Sequence, residues 1–246
     1  MLIESVAKGI HQVTDSFVNW YLVEDGDRLT VVDAGIRSSW KSLHAALAQL
    51  GRIPESIDAI VLTHAHPDHT GFAEKARVQL GVPVFVHEAD EMISRHPLRY
   101  KHERSLLPYA FNPKALPVVA SFIRTGSFLL SPIRSVETFG DEGVLDVPGS
   151  PRIIPTPGHT FGHTAFHFED RDALIVGDSI ATWNPYSGKT GPQLMPLCST
   201  ADGNEAIRSL SAIAATEAST LLVGHGDPWA QGAASAAAQA RSIGLS

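Results

Sequence analysis

The apolar run Ala59-Ile60-Val61-Leu62 leads without a break into Thr63-His64-Ala65-His66-Pro67-Asp68-His69-Thr70-Gly71. A short segment that is apolar at every position is what a strand covered on both faces requires, so the polar cluster is expected at the carboxyl end of a buried strand. In an extended or turning segment, residues i and i+2 point to one side. His64 and His66 can therefore grip one ion while Asp68 and His69, displaced by the turn at Pro67, face a second. Imidazole together with carboxylate suits zinc, and also iron, manganese or cobalt. A solvated loop that collects histidines by chance is the bland alternative, and four ligand-type residues directly after a buried strand speak against it.

Further candidates stand in strand-end contexts of the same kind: His159 in TPGHT, Asp178 in LIVGDS and His225 in LLVGHGD. In the last two, an apolar run ends in glycine and then a ligand-type residue. Glycine there lets the backbone turn tightly and leaves room for an ion beside the chain. Taken singly, each would read as a buried hydrogen-bonded histidine or a capping aspartate. Taken with the cluster at 64–69, they give a reason for five of the 12 histidines.

The flanking pattern alternates strands and helices. Phe17 to Gly35 reads as a hairpin around Glu24-Asp25-Gly26-Asp27, because Asp-Gly supplies the positive φ of a tight turn. Trp40, Leu43, Leu47 and Leu50 have helical spacing, with Ser38 or Ser39 as N-cap and Gly51 as stop. A helix over 72–80 and a strand over 82–88 follow. From Ala89 to about Pro132 the chain is proline-punctuated and rich in Leu and Phe, which predicts an irregular helical insertion. Strands are expected at 135–139, 152–155, 164–168, 173–176 and 220–224, and helices at 204–215 and 232–243. The order gives an α/β chain of two β-then-α halves with their sheets face to face, organised as one domain over 1–246.

Composition removes several function classes. The net charge of -7, from 19 basic and 26 acidic residues, opposes a phosphate backbone, so no nucleic-acid partner is expected. The longest apolar region, Ser105 to Ile133, is broken by Lys114, Arg124 and four prolines, short of the ~20 residues a membrane span needs. No secretory signal is visible at the N-terminus, and Cys198, the single cysteine, allows no internal disulfide; a cytoplasmic location is expected.

With these residues placed, the chain resembles the metallo-β-lactamase-fold hydrolases, among them glyoxalase II thioesterases and acyl-homoserine lactonases. The HxHxDH motif matches as THAHPDHTG, the isolated histidine as His159, the bridging acid as Asp178, the final histidine as His225 and the early Asp-x-Gly as Asp33. The resemblance implies an αβ/βα four-layer sandwich. It also implies that His64, His66 and His159 bind one divalent ion, that Asp68, His69 and His225 bind a second, and that Asp178 bridges them, with zinc the first choice and iron or manganese the alternatives. Two such ions share a water whose pKa falls toward ~7, giving a hydroxide that attacks a carbonyl. Asp68 or Asp178 would manage the proton for the leaving group, with Asp33 and His163 as supports behind the ligands.

Departures from the pattern narrow the activity. The commonest true β-lactamases carry cysteine where this chain has Asp178, and the short tail after His225 holds one cation, Arg241, which weakens a glutathione-thioester reading. Lactonases place a tyrosine shortly after the bridging acid; Ala181 stands nearest here, and Tyr186 is the first tyrosine available as an oxyanion donor. Leu106, Leu107, Tyr109, Phe111, Phe122, Phe128 and Leu129 make the insertion either an apolar lid for an acyl or aromatic substrate or a homodimer interface. Trp20, Trp183 and Phe161 are candidate mouth residues. The leading expectation is a dinuclear hydrolase of a carboxylic ester, thioester or lactone. A mononuclear iron persulfide dioxygenase is the alternative, with a phosphodiesterase or a non-catalytic binding module ranked below it.

Overall fold

The computed structural model describes residues 1–105, 116–125 and 131–245. Of the insertion's apolar residues, Leu106, Leu107, Tyr109, Phe111, Phe128, Leu129 and the side chain of Phe122 lie outside that description.

The N-terminal half forms a seven-stranded sheet in chain order: β1 (Leu2–Ala7), β2 (Ile10–Asp15), β3 (Val18–Asp25), β4 (Arg28–Val32), β5 (Ile57–Val61), β6 (Val84–His87) and β7 (Glu137–Phe139). The first four strands are antiparallel, and β4 to β7 are parallel. The second half contributes β8 (Arg152–Pro155), β9 (Thr164–Phe168), β10 (Ala173–Gly177), a ribbon of β11 (Ala181–Trp183) and β12 (Thr190–Gln193), and β13 (Thr220–Val223). Its main sheet runs β13-β10-β9-β8, with β13 parallel to β10.

The apolar strands are explained by what covers their two faces. Ile60 of β5 and Val31 of β4 pack outward under the helices Ser39–Gln49 and Ala73–Leu80, while their neighbours Ala59, Val61 and Val32 pack inward against the second sheet. In β10 the same alternation sends Leu174 and Val176 outward to the helices Gly203–Ala214 and Ala233–Ile243, and Ile175 inward. Successive side chains of a strand point to opposite faces, so a strand between a helix layer and another sheet must be apolar throughout. The result is an αβ/βα four-layer sandwich.

Polar stitches join the sheets at one end. Tyr21 Oη donates to Val223 O at 2.7 Å, and the Asn19 amide donates to Val223 O and Gly226 O. Thr164 N–H donates to Thr63 O at 2.8 Å.

Several details differ from the sequence reading. β1 and β2, whose polar residues break strand alternation, and the short ribbon β11–β12 were not anticipated. Ser38 precedes its helix without a side-chain cap bond; instead Ser39 Oγ accepts from Ile36 N–H at 3.2 Å. Trp20 is fully buried against Phe72 and does not reach the mouth of the site. After β6 the chain makes a turn at Glu88–Asp90, a helix Glu91–Arg95 and a turn Pro97–Arg99, with a further helix Leu116–Thr125. Among the described residues, no helix is long and apolar enough to cross a membrane.

Candidate metal centre

The carboxyl ends of β4, β5, β8, β10 and β13 open at the stitched end of the sandwich, and each delivers polar side chains there: Asp33, His64 to His69, His159, Asp178 and His225. Parallel strands with buried flanks leave their C-terminal loops as the place where side chains from distant parts of the chain can meet.

Two triads assemble. His64, His66 and His159 bring one donor atom each within 4.8 Å of one another, and Asp68, His69 and His225 do the same. Asp178 lies between them: its carboxylate oxygens stand 3.5 Å from His69 Nε2, 3.4 Å from His159 Nε2 and 3.3 Å from His225 Nε2. All of these groups are buried except Asp68, whose side chain keeps 25% of its surface accessible and so marks the open side of the site.

The hydrogen bonds behind the ligands fix which ring nitrogen faces inward. His69 Nδ1 donates to Asp33 Oδ2 at 3.0 Å, and His225 Nδ1 donates to Phe17 O at 2.7 Å. Thr63 gives its hydroxyl proton to Asp33, so its oxygen accepts from His64 Nδ1 at 3.0 Å. Thr200, which donates to Met195 O, lies 3.5 Å from His159 Nδ1. Each of these four rings thus has its outer nitrogen engaged and turns Nε2 inward, the orientation a metal ligand requires. His163 sits one layer further out, donating through Nδ1 to Thr156 and accepting the Asp178 backbone N–H at Nε2. Asp33 also lies within ligand reach of His64 and His69, but both its oxygens are engaged by Thr63 and His69, which makes it an orienting group.

The inner atoms carry the decisive observation. Nε2 of His64, His66, His69 and His159, together with Asp178 Oδ1, are buried without any hydrogen-bond partner. Unsatisfied buried polar atoms are rare and costly, and five of them converging on one small space fit a set of donors shaped for cations. Electrostatics divides the rings. Burial holds His64 and His159 well below the ordinary imidazole value and His66 down at about 4, keeping them neutral. At His69 burial acts the same way, but Asp178, Asp68 and Asp33 outweigh it and lift the ring to about 9; His225 is raised likewise by Asp178 and Asp68. Despite burial, the facing imidazoles hold the Asp68 and Asp178 carboxyls below their ordinary range. The donor set fits two divalent cations, one in a neutral histidine cage and one beside carboxylates.

Aromatic groups flank the ligands. Tyr100 packs edge-on against His66 with ring centroids 4.8 Å apart, and Phe17 stacks on Trp183 at 5.1 Å. Phe161 is half exposed beneath Lys101 Nζ. Tyr186 is hydrogen-bonded to Ser199 and lies near Asp68, Tyr100 and Cys198; burial raises its phenol above the ordinary value. Sequence reasoning did not single out Phe17, Thr63, Asp90 or Tyr100. Their roles depend on backbone carbonyls and neighbours distant in the chain, for which no local spacing gives a signal.

Residues 13–225 match the family model described as the metallo-beta-lactamase superfamily. The chain belongs to that superfamily. Among curated relatives it is 30% identical to the uncharacterized protein YobT of Bacillus subtilis over 85% of this chain and 83% of the relative. It is 26% identical to YflN of the same organism, named a probable metallo-hydrolase, over 90% and 85%. A solved metallo-beta-lactamase family protein of Thermus thermophilus, TTHA1429, superposes with a TM-score of 0.70 at 25% identity, covering 96% of this chain and 79% of its own. The fold is shared with TTHA1623, solved in a di-iron-bound form (TM-score 0.62, 23% identity, covering 94% and 98%). It is also shared with the class B3 di-zinc enzyme LRA-12 from an Alaskan soil metagenome (TM-score 0.68, 14% identity, covering 97% and 89%).

Proposed function

We propose that this superfamily member is a dinuclear metal-dependent hydrolase whose substrate is a carboxylic ester, thioester or lactone with an apolar portion. The coarser assignment, a metallo-hydrolase, rests on family membership and on the convergence of five histidines with Asp68 and Asp178. One observation carries the dinuclear reading: five buried inner atoms left without partners, three from the His64–His66–His159 triad, His69 Nε2 from the other triad, and Asp178 Oδ1 between the two. A mononuclear iron dioxygenase would use two histidines and one aspartate, and the complete second triad favours two ions.

When bound, two divalent ions activate a shared water and polarise the substrate carbonyl. His64, His66 and His159 would hold one ion, Asp68, His69 and His225 the other, and Asp178 both. The chain's own groups supply the rest. Asp33, Thr63 and Phe17 O hold the ligand rings in register before substrate arrives, so little reorganisation remains for the reaction. Asp68, partly open to the cleft, is the group placed to carry a proton to the leaving oxygen or sulfur. Tyr186 keeps its phenol proton at neutral pH and is the proposed donor to the oxyanion. The ring faces of Phe17 and Trp183, with Tyr100 and Phe161, favour an apolar acyl or aromatic substituent, and the acidic net charge disfavours phosphodiesters.

The test is a panel of esters, thioesters and lactones of graded acyl length on protein of measured metal content. Turnover is expected to vanish with a chelator and return with zinc, manganese or iron. Persistent hydrolysis by fully metal-stripped protein refutes the mechanism, and oxygen consumption on a persulfide with one iron per chain refutes the reaction class.

A further inference from the structure

Asp90 lies outside both triads, yet it is 1% exposed and spends both carboxylate oxygens on the loops that carry the ligands. Oδ2 accepts from the backbone N–H of Ala65 at 3.0 Å and from Thr160 Oγ1 at 2.7 Å, and Oδ1 accepts from Gly162 N–H at 2.8 Å. Ala65 sits between His64 and His66, on the loop after β5. Thr160 follows His159, and Gly162 precedes His163, both on the loop between β8 and β9. One carboxylate therefore spans the seam between the two sheets and ties the chain segments that present His64, His66 and His159.

The approach is close. A Cβ on Gly162 would stand 2.8 Å from Asp90 Cγ, Oδ1 and backbone N, so any larger residue there pushes the carboxylate away from its donors. Three donors converge on two oxygens, which asks for an acceptor-only group; an asparagine in the same place turns an N–H₂ toward at least one of them.

We propose that Asp90 is a positioning residue that sets the separation of His159 from the His64–His66 pair and thereby the affinity of that triad for its ion. The proposal rests on the reading that this triad holds one of two metal ions. Without the carboxylate, three buried donors lose their acceptor and the two loops are free to part, whereas the second triad is oriented by Asp33 and Phe17 O and keeps its supports. Support of this kind behind metal ligands is worth ~10–100-fold in affinity.

The experiment titrates zinc into the metal-free full chain against a chromophoric chelator, for the wild type, Asp90→Asn and Thr160→Val, and measures occupancy at each triad by anomalous scattering from crystals. The expected result is two zinc ions in the wild type. In Asp90→Asn one dissociation constant rises ~10–100-fold, with occupancy lost at His64, His66 and His159 and kept at Asp68, His69 and His225. Thr160→Val, which removes one bond and no charge, shifts the same constant in the same direction by less, and decides the matter if Asp90→Asn does not fold. Wild-type constants in these variants, or equal weakening of both sites, overturn the proposal. A wild type that takes only one ion at the second triad overturns instead the reading beneath it.

Discussion

Gly224→Ala should cost this protein its metal while leaving most of its fold. A Cβ at position 224 would stand 2.0 Å from Asp178 Oδ1 and 2.9 Å from His69 Cε1, where ordinary contact begins at 3.4 Å. Neither side can yield easily. Gly224 N–H is bonded to Gly177 O and Gly224 O to Asn19 N–H, both at 2.8 Å, while the Asp178 backbone is held by His163 Nε2. Relief requires Asp178 to retreat by more than about 1 Å, against a tolerance of about 0.2 Å in ligand distances. Because Asp178 faces both triads, both ions should bind at least ~100-fold more weakly. The metal-free variant should lose only the cost of one overpacked methyl, about 1–3 kcal/mol, at about 2–4 °C of Tm per kcal/mol. At saturating metal the gap should widen by about 2.7 kcal/mol for each 100-fold loss of affinity. Calorimetric melting with and without zinc, beside a chelator-competition titration, reads both quantities. Two equivalents bound with wild-type constants would refute the placement of Asp178 between the ions.

Three further outcomes follow from other residues and one from removal of the metal. Asp33→Asn should free the His69 ring to turn and weaken zinc binding ~10–100-fold by the same titration. Tyr186→Phe should lower kcat on an identified ester or lactone by ~10²-fold with little change in Tm, and an unchanged kcat/KM removes it from the mechanism. Chelation of the loaded protein should lower Tm, and metal added back at about 1,000 times its Kd should restore about 4 kcal/mol per site, measured by calorimetry. His167, held below the ordinary 6.5 by burial and by Arg152, accepts from Arg152 Nη2 at 3.0 Å and must be neutral in the fold. Below pH 6.5 the unfolded chain binds the extra proton, so stability falls as pH falls through that window. His167→Gln should flatten the decline of Tm from pH 6.5 downward, and an unchanged slope would exclude that linkage.

The sequence was legible where local pattern and global packing agree. The run Ala59–Leu62 could be read as a doubly covered strand because both its faces are in fact apolar environments, and the hairpin Phe17–Gly35 because Gly26 supplies the turn. The strand Ile10–Asp15 was opaque because His11 and Gln12 are buried polar residues, His11 3.2 Å from Glu24, which breaks the alternation a strand would otherwise display, and Leu2–Ala7 because it buries no residue fully. Trp20 lies in the core and not at the mouth because nearness in sequence to a motif position does not say which face a strand residue takes. The residues that converge on the candidate site could be named from their strand-end contexts. Their supports could not, since Phe17 offers a carbonyl, which carries no residue signature, and Asp90 acts on residues that the chain brings back only after β8.

The seam that Asp178 occupies has a consequence for how the protein comes apart. The donors of each triad are drawn from both halves, so an ion held there closes loops of ~100 residues in the same sense that a covalent cross-link would, and a link of that span removes ~4–5 kcal/mol of unfolded-state freedom. Zinc or iron in this fold would then be a removable staple as much as a reagent. Because Val61 and Ile175 share one inner core across the two sheets, the stripped protein should still unfold as one unit, from a state less stable by that amount.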